Sequence, residues 1–395
     1  MSRVAGSSRS LPTMASVGTI TAPPRRRPAA RRPSPTGSET YRQGDMMSGT
    51  VMQIGAAPDG DPIHEIVLTG PDGTRARVLS WGATLRDLEV PGSGGVMRRV
   101  VLGYDDLSSY LANPAYLGAT CGRVANRIRN GRFTLNGRGY ELARNERGVT
   151  HLHGGTRGFS HRPWRVETAA GNAVTLAYRS ADGEEGYPGT LDVLCTYRLV
   201  APSTLEIEMT ARTDAPTPVS LAHHSYFTLD PGHSVRELEV AVAARHYTPV
   251  DADQIPTGEI APVDGTPFDL RSFRRLADQG IGFDTNFVLD DAGPPAGDPA
   301  APRLVARARS SRSGMAMEVR TTAPGLQLYD GAHLPVTNHG IGALTHGAHA
   351  GICFEPQYFP DAVNRLGLPP PWITPDAGFR QVTAYRFCTD NVSRR

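Results

Sequence analysis

Residues 203–213 set Leu205, Ile207 and Met209 on one side of an extended chain, with Glu206, Glu208 and Thr210 on the other. A period of two is the mark of a half-buried strand. The same alternation runs through 63–69, 172–179, 236–243, 315–322 and 379–388. Turn pairs punctuate these runs: Asp72-Gly73, Asn136-Gly137, Asp182-Gly183 and Asp330-Gly331. Each offers the left-handed backbone that tight hairpins use. The pattern contains no amphipathic helix longer than about three turns. Short strands with frequent turns predict an all-β fold, a large antiparallel β-sandwich or barrel. The strand pattern starts at residue 49 and reaches the C-terminus without a linker, so 49–395 is expected to form one domain. Within it the Pro/Gly-rich stretch 291–302 (DAGPPAGDPAAP) reads as a surface loop, because strand patterns flank it closely.

Residues 1–48 have a different character. They are rich in Ser, Pro, Arg, Ala and Gly and lack apolar periodicity, so they cannot bury enough surface to offset their ordering entropy. A disordered tail is expected. Its arginines are not followed by an apolar core of about 7 to 15 residues, which argues against a signal peptide. Met46 and Met47 offer an alternative start, with the upstream part an over-extended reading frame.

Composition narrows the chemistry. All 41 basic residues among the 395 are arginine. Schiff-base lysine mechanisms and the lysine-containing P-loop are therefore excluded. Eight arginines lie in residues 1–47 against only Glu39 and Asp45, so that segment carries +6; with +2 for the whole chain, the remainder carries −4. A mildly acidic body does not suggest nucleic acid as a partner. No apolar run approaches the roughly 18 residues of a membrane-spanning helix. Cysteines 121, 195, 353 and 388 form no C-x-x-C pair and no zinc spacing, which suggests reduced thiols and a cytoplasmic protein.

Four stretches concentrate polar residues where strand patterns break. GRVANRI (122–128) sets Asn126 beside Arg127, either aimed at hydroxyl oxygens or serving a turn ion pair. HLHGG (151–155) places two glycines after His153, letting the backbone bend sharply; a zinc pair with His151 lacks a third ligand at a familiar spacing. HHSYFT (223–228) is expected to point one histidine inward and one outward, and offers either a proton carrier or a buried imidazole. In CFEPQYFPDAVN (353–364) an apolar run ends in Glu355; desolvation there would raise its pKa and make it a better base, unless a neighbouring amide merely holds it.

In order along the chain, GRVANRI, HLHGGTRGF, DGEEGYPG, HHSYFTL, GFDTNFVL, GLQLYDG and FEPQYFPDAVN closely resemble the aldose 1-epimerases, or galactose mutarotases, from about residue 50 to about 390. The resemblance implies a galactose mutarotase-like β-supersandwich. It implies interconversion of the α and β anomers of free aldoses such as galactose and glucose, with no cofactor and no metal. Carried onto this chain, the base is Glu355 and the acid His224. The sugar-binding groups are Asn126, Arg127, His153, Asp284 and Gln327, and DGEEGYPG is structural. The chain departs from the family in having His223 where asparagine is usual and Thr228 where asparagine is frequent. The expected partner is a small-molecule sugar, with no nucleic acid or membrane partner, and the expected state is a monomer or weak homodimer. A sugar-phosphate 1-epimerase, with arginines such as Arg123, Arg127 and Arg157 clustered at the rim, and a non-catalytic carbohydrate-binding sandwich remain alternatives.

Overall fold

The computed structural model describes residues 50–290, 301–365, 367–368 and 371–389. The expected tail over 1–48, the alternative starts Met46 and Met47, and most of the 291–302 stretch lie outside the described residues.

Three antiparallel sheets carry the architecture. The N-terminal sheet runs in sequence order through Thr50–Ala56, Pro62–Thr69, Arg75–Leu79, Thr84–Pro91 and Met97–Arg99. The largest sheet has nine strands, with Leu191–Val200, Thr204–Thr213, Phe379–Thr389 and Met315–Thr321 side by side at its centre. The third has six, in the order Tyr226–Phe227, Ile352–Gln357, Gly325–Tyr329, Asp284–Val288, His246–Tyr247, Ala261–Pro262.

The expected alternation explains which faces meet. Leu205, Ile207 and Met209 are buried, while Glu206, Glu208 and Thr210 are half-exposed. Their apolar face shares one core cluster with Ile66, Leu68 and Leu85 of the first sheet, and with Phe287, Leu326, Leu328 and Phe354 of the six-stranded sheet. Polar ties cross the same boundary: the Tyr385 hydroxyl donates to the Phe354 carbonyl at 2.8 Å, and Gln381 Nε2 donates to the Pro356 carbonyl at 3.0 Å. The 136–137 turn is a two-residue hairpin joining Arg132–Leu135 to Arg138–Glu141, with positive φ at both Asn136 (51°) and Gly137 (77°).

One expected strand is shorter than its pattern. Of residues 236–243 only Glu239–Val242 are extended, because Val235–Glu237 wind into a 3-10 turn whose Arg236 N–H donates to the Ser234 hydroxyl at 3.3 Å. Among the described residues the α-helix is the single short segment Leu107–Ala112, capped by Asp106 accepting from the Ser109 N–H. No described helix is long and apolar enough to cross a membrane.

Candidate active site

The outer face of the six-stranded sheet forms the floor of a cleft of about 630 Å³. Period-two alternation puts Leu326, Leu328, Ile352 and Phe354 in the core, so Gln327, Tyr329, Cys353 and Glu355 must face the other way. Register then assembles them into rows. Asn286 pairs with Gln327, and Gln327 with Glu355; Asp284 pairs with Tyr329, and Tyr329 with Cys353. Directly opposed residues share a face.

Above this floor stands His224. It follows the two-residue strand Ala222–His223, and its N–H donates to the Ala119 carbonyl at 2.9 Å. Its Nε2 lies 3.6 Å from Glu355 Oε2, and its Nδ1 lies 3.6 Å from Cys353 Sγ. Both partners are nearly inaccessible, His224 at 5% and Glu355 at 2% exposure. Among the described residues Glu355 Oε2 has no hydrogen-bond partner. Burial, reinforced by the nearby Asp284 charge and partly opposed by Arg127, pushes the Glu355 carboxyl well above the usual carboxylate range. Burial pushes His224 down to about 4. Desolvation of Glu355 is what its apolar approach run implied; the depressed imidazole was not legible from the His-His pair.

The sequence expectation for that pair needs correction. His223 and His224 do point to opposite sides, but both side chains are buried. His223 bonds Ser225 Oγ at 2.7 Å and the Tyr197 hydroxyl at 3.3 Å inside the protein, while His224 faces the cleft. His223 and Thr228 are both buried and neither lines the cleft.

The walls come from two loops clamped to each other. Arg127–Ile128 pairs with His151–Leu152, and positive φ values at Asn126 (61°) and His153 (50°) turn both side chains out of the ladder. Asn126 N–H donates to His153 Nδ1 at 3.2 Å, and His153 N–H donates to the Asn126 carbonyl at 3.0 Å. With Nδ1 an acceptor and the ring held neutral by burial, His153 keeps its proton on Nε2. A Cβ on Gly154 would fall 1.6 Å from the Gly122 carbonyl oxygen, so the HGG turn reaches GRVANRI only because that residue is glycine. His151 turns away to Tyr187 and the Ala143 carbonyl, which leaves no zinc pair with His153. The DGEEGYPG stretch backs the turn: Glu185 accepts from the Thr156 and Arg157 N–H groups at 3.0 and 2.9 Å.

Arg127 and Asp284 meet across the mouth. Arg127 makes two 2.8 Å bonds to Glu146, and its third nitrogen lies 3.8 Å from Asp284. Gln327 Nε2 donates to Asp284 at 2.6 Å, and Gln327 Oε1 has no partner among the described residues. Thus Asn126, Arg127, His153, His224, Asp284, Gln327 and Glu355 all line one cleft. Arg123 and Arg157 do not. Arg123 is buried against Ser180 and the Pro188 carbonyl, and Arg157 pairs with Asp59 at the surface. Sequence reading missed Glu146, which sits in an ordinary-looking charged turn, and Tyr116. Tyr116 has a φ of 56° and packs its ring against His153, tilted at 54° with the centroids 4.5 Å apart. A larger groove of about 840 Å³ elsewhere is edged by exposed, mutually paired charges such as Arg275 with Glu237.

Cys353, His224 and Glu355 each bring a metal-ligating atom within 4.8 Å of the others. The sulfur lies against Nδ1 and the carboxylate against Nε2, so no single imidazole lone pair points toward both.

Residues 64–386 match the family model for aldose 1-epimerase. Mouse (Mus musculus) galactose mutarotase is 40% identical over 349 residues, covering 87% of this chain and 99% of that protein. The aldose 1-epimerase of Escherichia coli K12 is 33% identical over 346 residues, covering 85% and 98%. A solved aldose epimerase homologue from C. elegans superimposes with a TM-score of 0.77 at 29% identity, covering 83% of this chain and 99% of that one. Its fold is the galactose mutarotase-like antiparallel β-architecture described above.

Proposed function

The chain belongs to the aldose 1-epimerase family and is an enzyme of that activity, and on that premise we propose that it interconverts the α and β anomers of free aldohexoses such as galactose and glucose, with Glu355 as base and His224 as acid. The observation that carries this reading is the approach of Glu355 to His224 at 3.6 Å on the floor of a cleft with room for one hexose.

Anomer exchange opens the C1–O5 bond and closes it on the other face. Glu355 removes the O1 proton, the O1 electron pair forms the aldehyde C=O, C1–O5 breaks, and His224 Nε2–H protonates O5. The aldehyde rotates about C1–C2, and the same two groups act in reverse. In the free protein the opposed pKa shifts keep the pair's single proton on Glu355. Moving it to His224 gives the charge-separated form with the same proton count. Sugar hydroxyls that donate to the carboxylate, with Arg127 behind them, favour that form in the complex. Each positioned proton carrier contributes roughly 10² to 10⁴ in rate. Asn126, Arg127, Asp284 and Gln327 offer donors and acceptors to the remaining hydroxyls, and His153 a neutral Nε2–H.

The balance of charge supports free sugars over phosphorylated ones. Glu146, Asp284, Asp330 and Glu355 line the cleft against Arg127 and Arg147, and Arg127 is already committed to Glu146. The test is polarimetry of freshly dissolved galactose, glucose, xylose and glucose 6-phosphate. Fast anomerisation of the free hexoses with a much slower sugar phosphate is expected. Preference for the phosphate, or binding of sugar without anomerisation, would overturn the reading.

A further inference from the structure

We propose that Cys353 is a positioning residue for the reaction: its sulfur accepts the His224 Nδ1–H and so confines proton exchange to Nε2, the nitrogen that faces Glu355. The proposal rests on His224 being the acid. It is independent of which aldose is preferred.

The geometry comes from one strand. Cys353 and Glu355 are two residues apart on Ile352–Gln357, so both project from the same face of the strand, about 6.8 Å apart along the chain; Glu355 lines the cleft, and Cys353 is buried beside it against Tyr226 and Leu102. The imidazole of His224 lies across both. Its Nδ1 is 3.6 Å from the sulfur and its Nε2 is 3.6 Å from the carboxylate oxygen. An N–H to sulfur bond is weak and long, and 3.6 Å is within its reach. The rings packed against it among the described residues are those of Tyr226, Tyr116 and His153, with centroids 5.2, 6.1 and 5.3 Å away; none of these contacts is a hydrogen bond to Nδ1. His223 lies on the reverse side of the strand.

The proton balance requires a partner at Nδ1. When His224 protonates O5, the Nε2–H bond breaks and its electron pair becomes the Nε2 lone pair. The ring that remains is neutral with its proton on Nδ1. On ring closure the Nε2 lone pair takes the proton back. Nδ1 keeps its hydrogen throughout, on the side of the ring that faces the fully buried Cys353 sulfur. A neutral imidazole with the opposite tautomer would present Nε2–H to Glu355 and a bare Nδ1 to the sulfur. It could not receive the returning proton at Nε2. Burial keeps the Cys353 thiol protonated, so the sulfur acts as a neutral acceptor. A neutral, weak acceptor leaves the imidazolium less stabilised than a carboxylate would, which keeps His224 a ready proton donor.

The experiment has two arms. In ¹⁵N-histidine-labelled enzyme, with the His224 signals assigned from a His224→Asn difference spectrum, the wild type should show a protonated Nδ1 and an unprotonated Nε2 at neutral pH. Cys353→Ala should shift both signals toward tautomer exchange and lower kcat about tenfold, with KM changed less than about twofold. Cys353→Ser restores an acceptor. It should recover most of kcat and move the acid limb of the kcat profile upward, because a hydroxyl oxygen holds the imidazolium more strongly. A wild-type spectrum with the proton on Nε2 overturns the proposal, and so does a Cys353→Ala enzyme with unchanged spectrum and unchanged kcat. In either case inactive His224→Asn and Glu355→Gln enzymes would leave the acid–base reading standing, whereas an active His224→Asn enzyme would remove that reading itself.

Discussion

Gln327 sits directly opposite Glu355 in the antiparallel register, yet its amide nitrogen turns aside to Asp284 at 2.6 Å. Among the described residues no amide holds Glu355, and its buried Oε2 has only His224 opposite it, at 3.6 Å. A carboxyl group so placed costs stability and gains basicity.

Glu355→Gln should abolish most anomerisation, by about 10² to 10⁴, while retaining the fold. It should also raise the melting temperature at neutral pH. The folded-state pKa of Glu355 is raised, so its favourable contribution is complete below its unfolded value of 4.5 and is lost as pH rises. Polarimetry and thermal unfolding of the same preparation check both halves; a variant that is both active and less stable contradicts the account.

The pH profile of kcat/KM in the free enzyme should be bell-shaped. Near pH 4 His224 gains a proton while Glu355 keeps its own, so the pair has no base. Above the raised Glu355 value the pair has lost its last proton and has no acid. Rates corrected for spontaneous mutarotation should fall on both sides. An enzyme-dependent rate that is constant from about pH 4 to 9 rules out this pair.

Glu146→Ala removes the carboxylate that holds Arg127 through two 2.8 Å bonds. The guanidinium loses its orientation, so KM for galactose should rise about tenfold with a smaller change in kcat. The released positive charge should also raise the rate with glucose 6-phosphate relative to glucose. Steady-state kinetics on these sugars measures both effects.

Acid should unfold the protein early. His151, His223 and His224 have folded pKa values of about 4, 3 and 4, and His153 is also depressed, all chiefly by burial. The unfolded chain binds these protons below 6.5 and the folded one does not. Their contribution is complete above about pH 6.5 and is lost as pH falls toward 4, by about 1.4 kcal/mol per pH unit for each proton bound only by the unfolded chain. Glu355 opposes this with a single group. Urea midpoints measured between about pH 7 and 5 should decline steadily; a midpoint that rises over this range refutes the sign.

Gly154→Ala should disrupt the wall of the cleft. The residue has a φ of 86°, and the added Cβ would meet the Gly122 carbonyl oxygen. A strained backbone of this kind costs about 1 to 3 kcal/mol before the clash is counted. Lower stability together with weaker sugar binding is expected from denaturant titration and from KM.

The sequence alone specified the alternation, because the strand period is covalent: Leu205, Ile207 and Met209 had to share a face, and so did Cys353 and Glu355. It also marked Glu355 as a desolvated carboxylate through the apolar run before it, and the ordered motifs brought the family into view. What alternation leaves open is which faces are covered. His223 and His224 point apart as an extended pair must, but only the packed sheets decide that one meets Tyr197 and the other a cleft. Register is equally non-local. Nothing near Gln327 or Asp284 in the chain says that one will sit opposite Glu355 while donating to the other. Glu146 and Tyr116 acquire their places through loops folded against distant strands, and the sulfur of Cys353 gains a partner only when His224 is brought over it. Local periodicity is set by bond geometry, whereas the meeting of two groups far apart in the chain depends on the total packing of the layers between them.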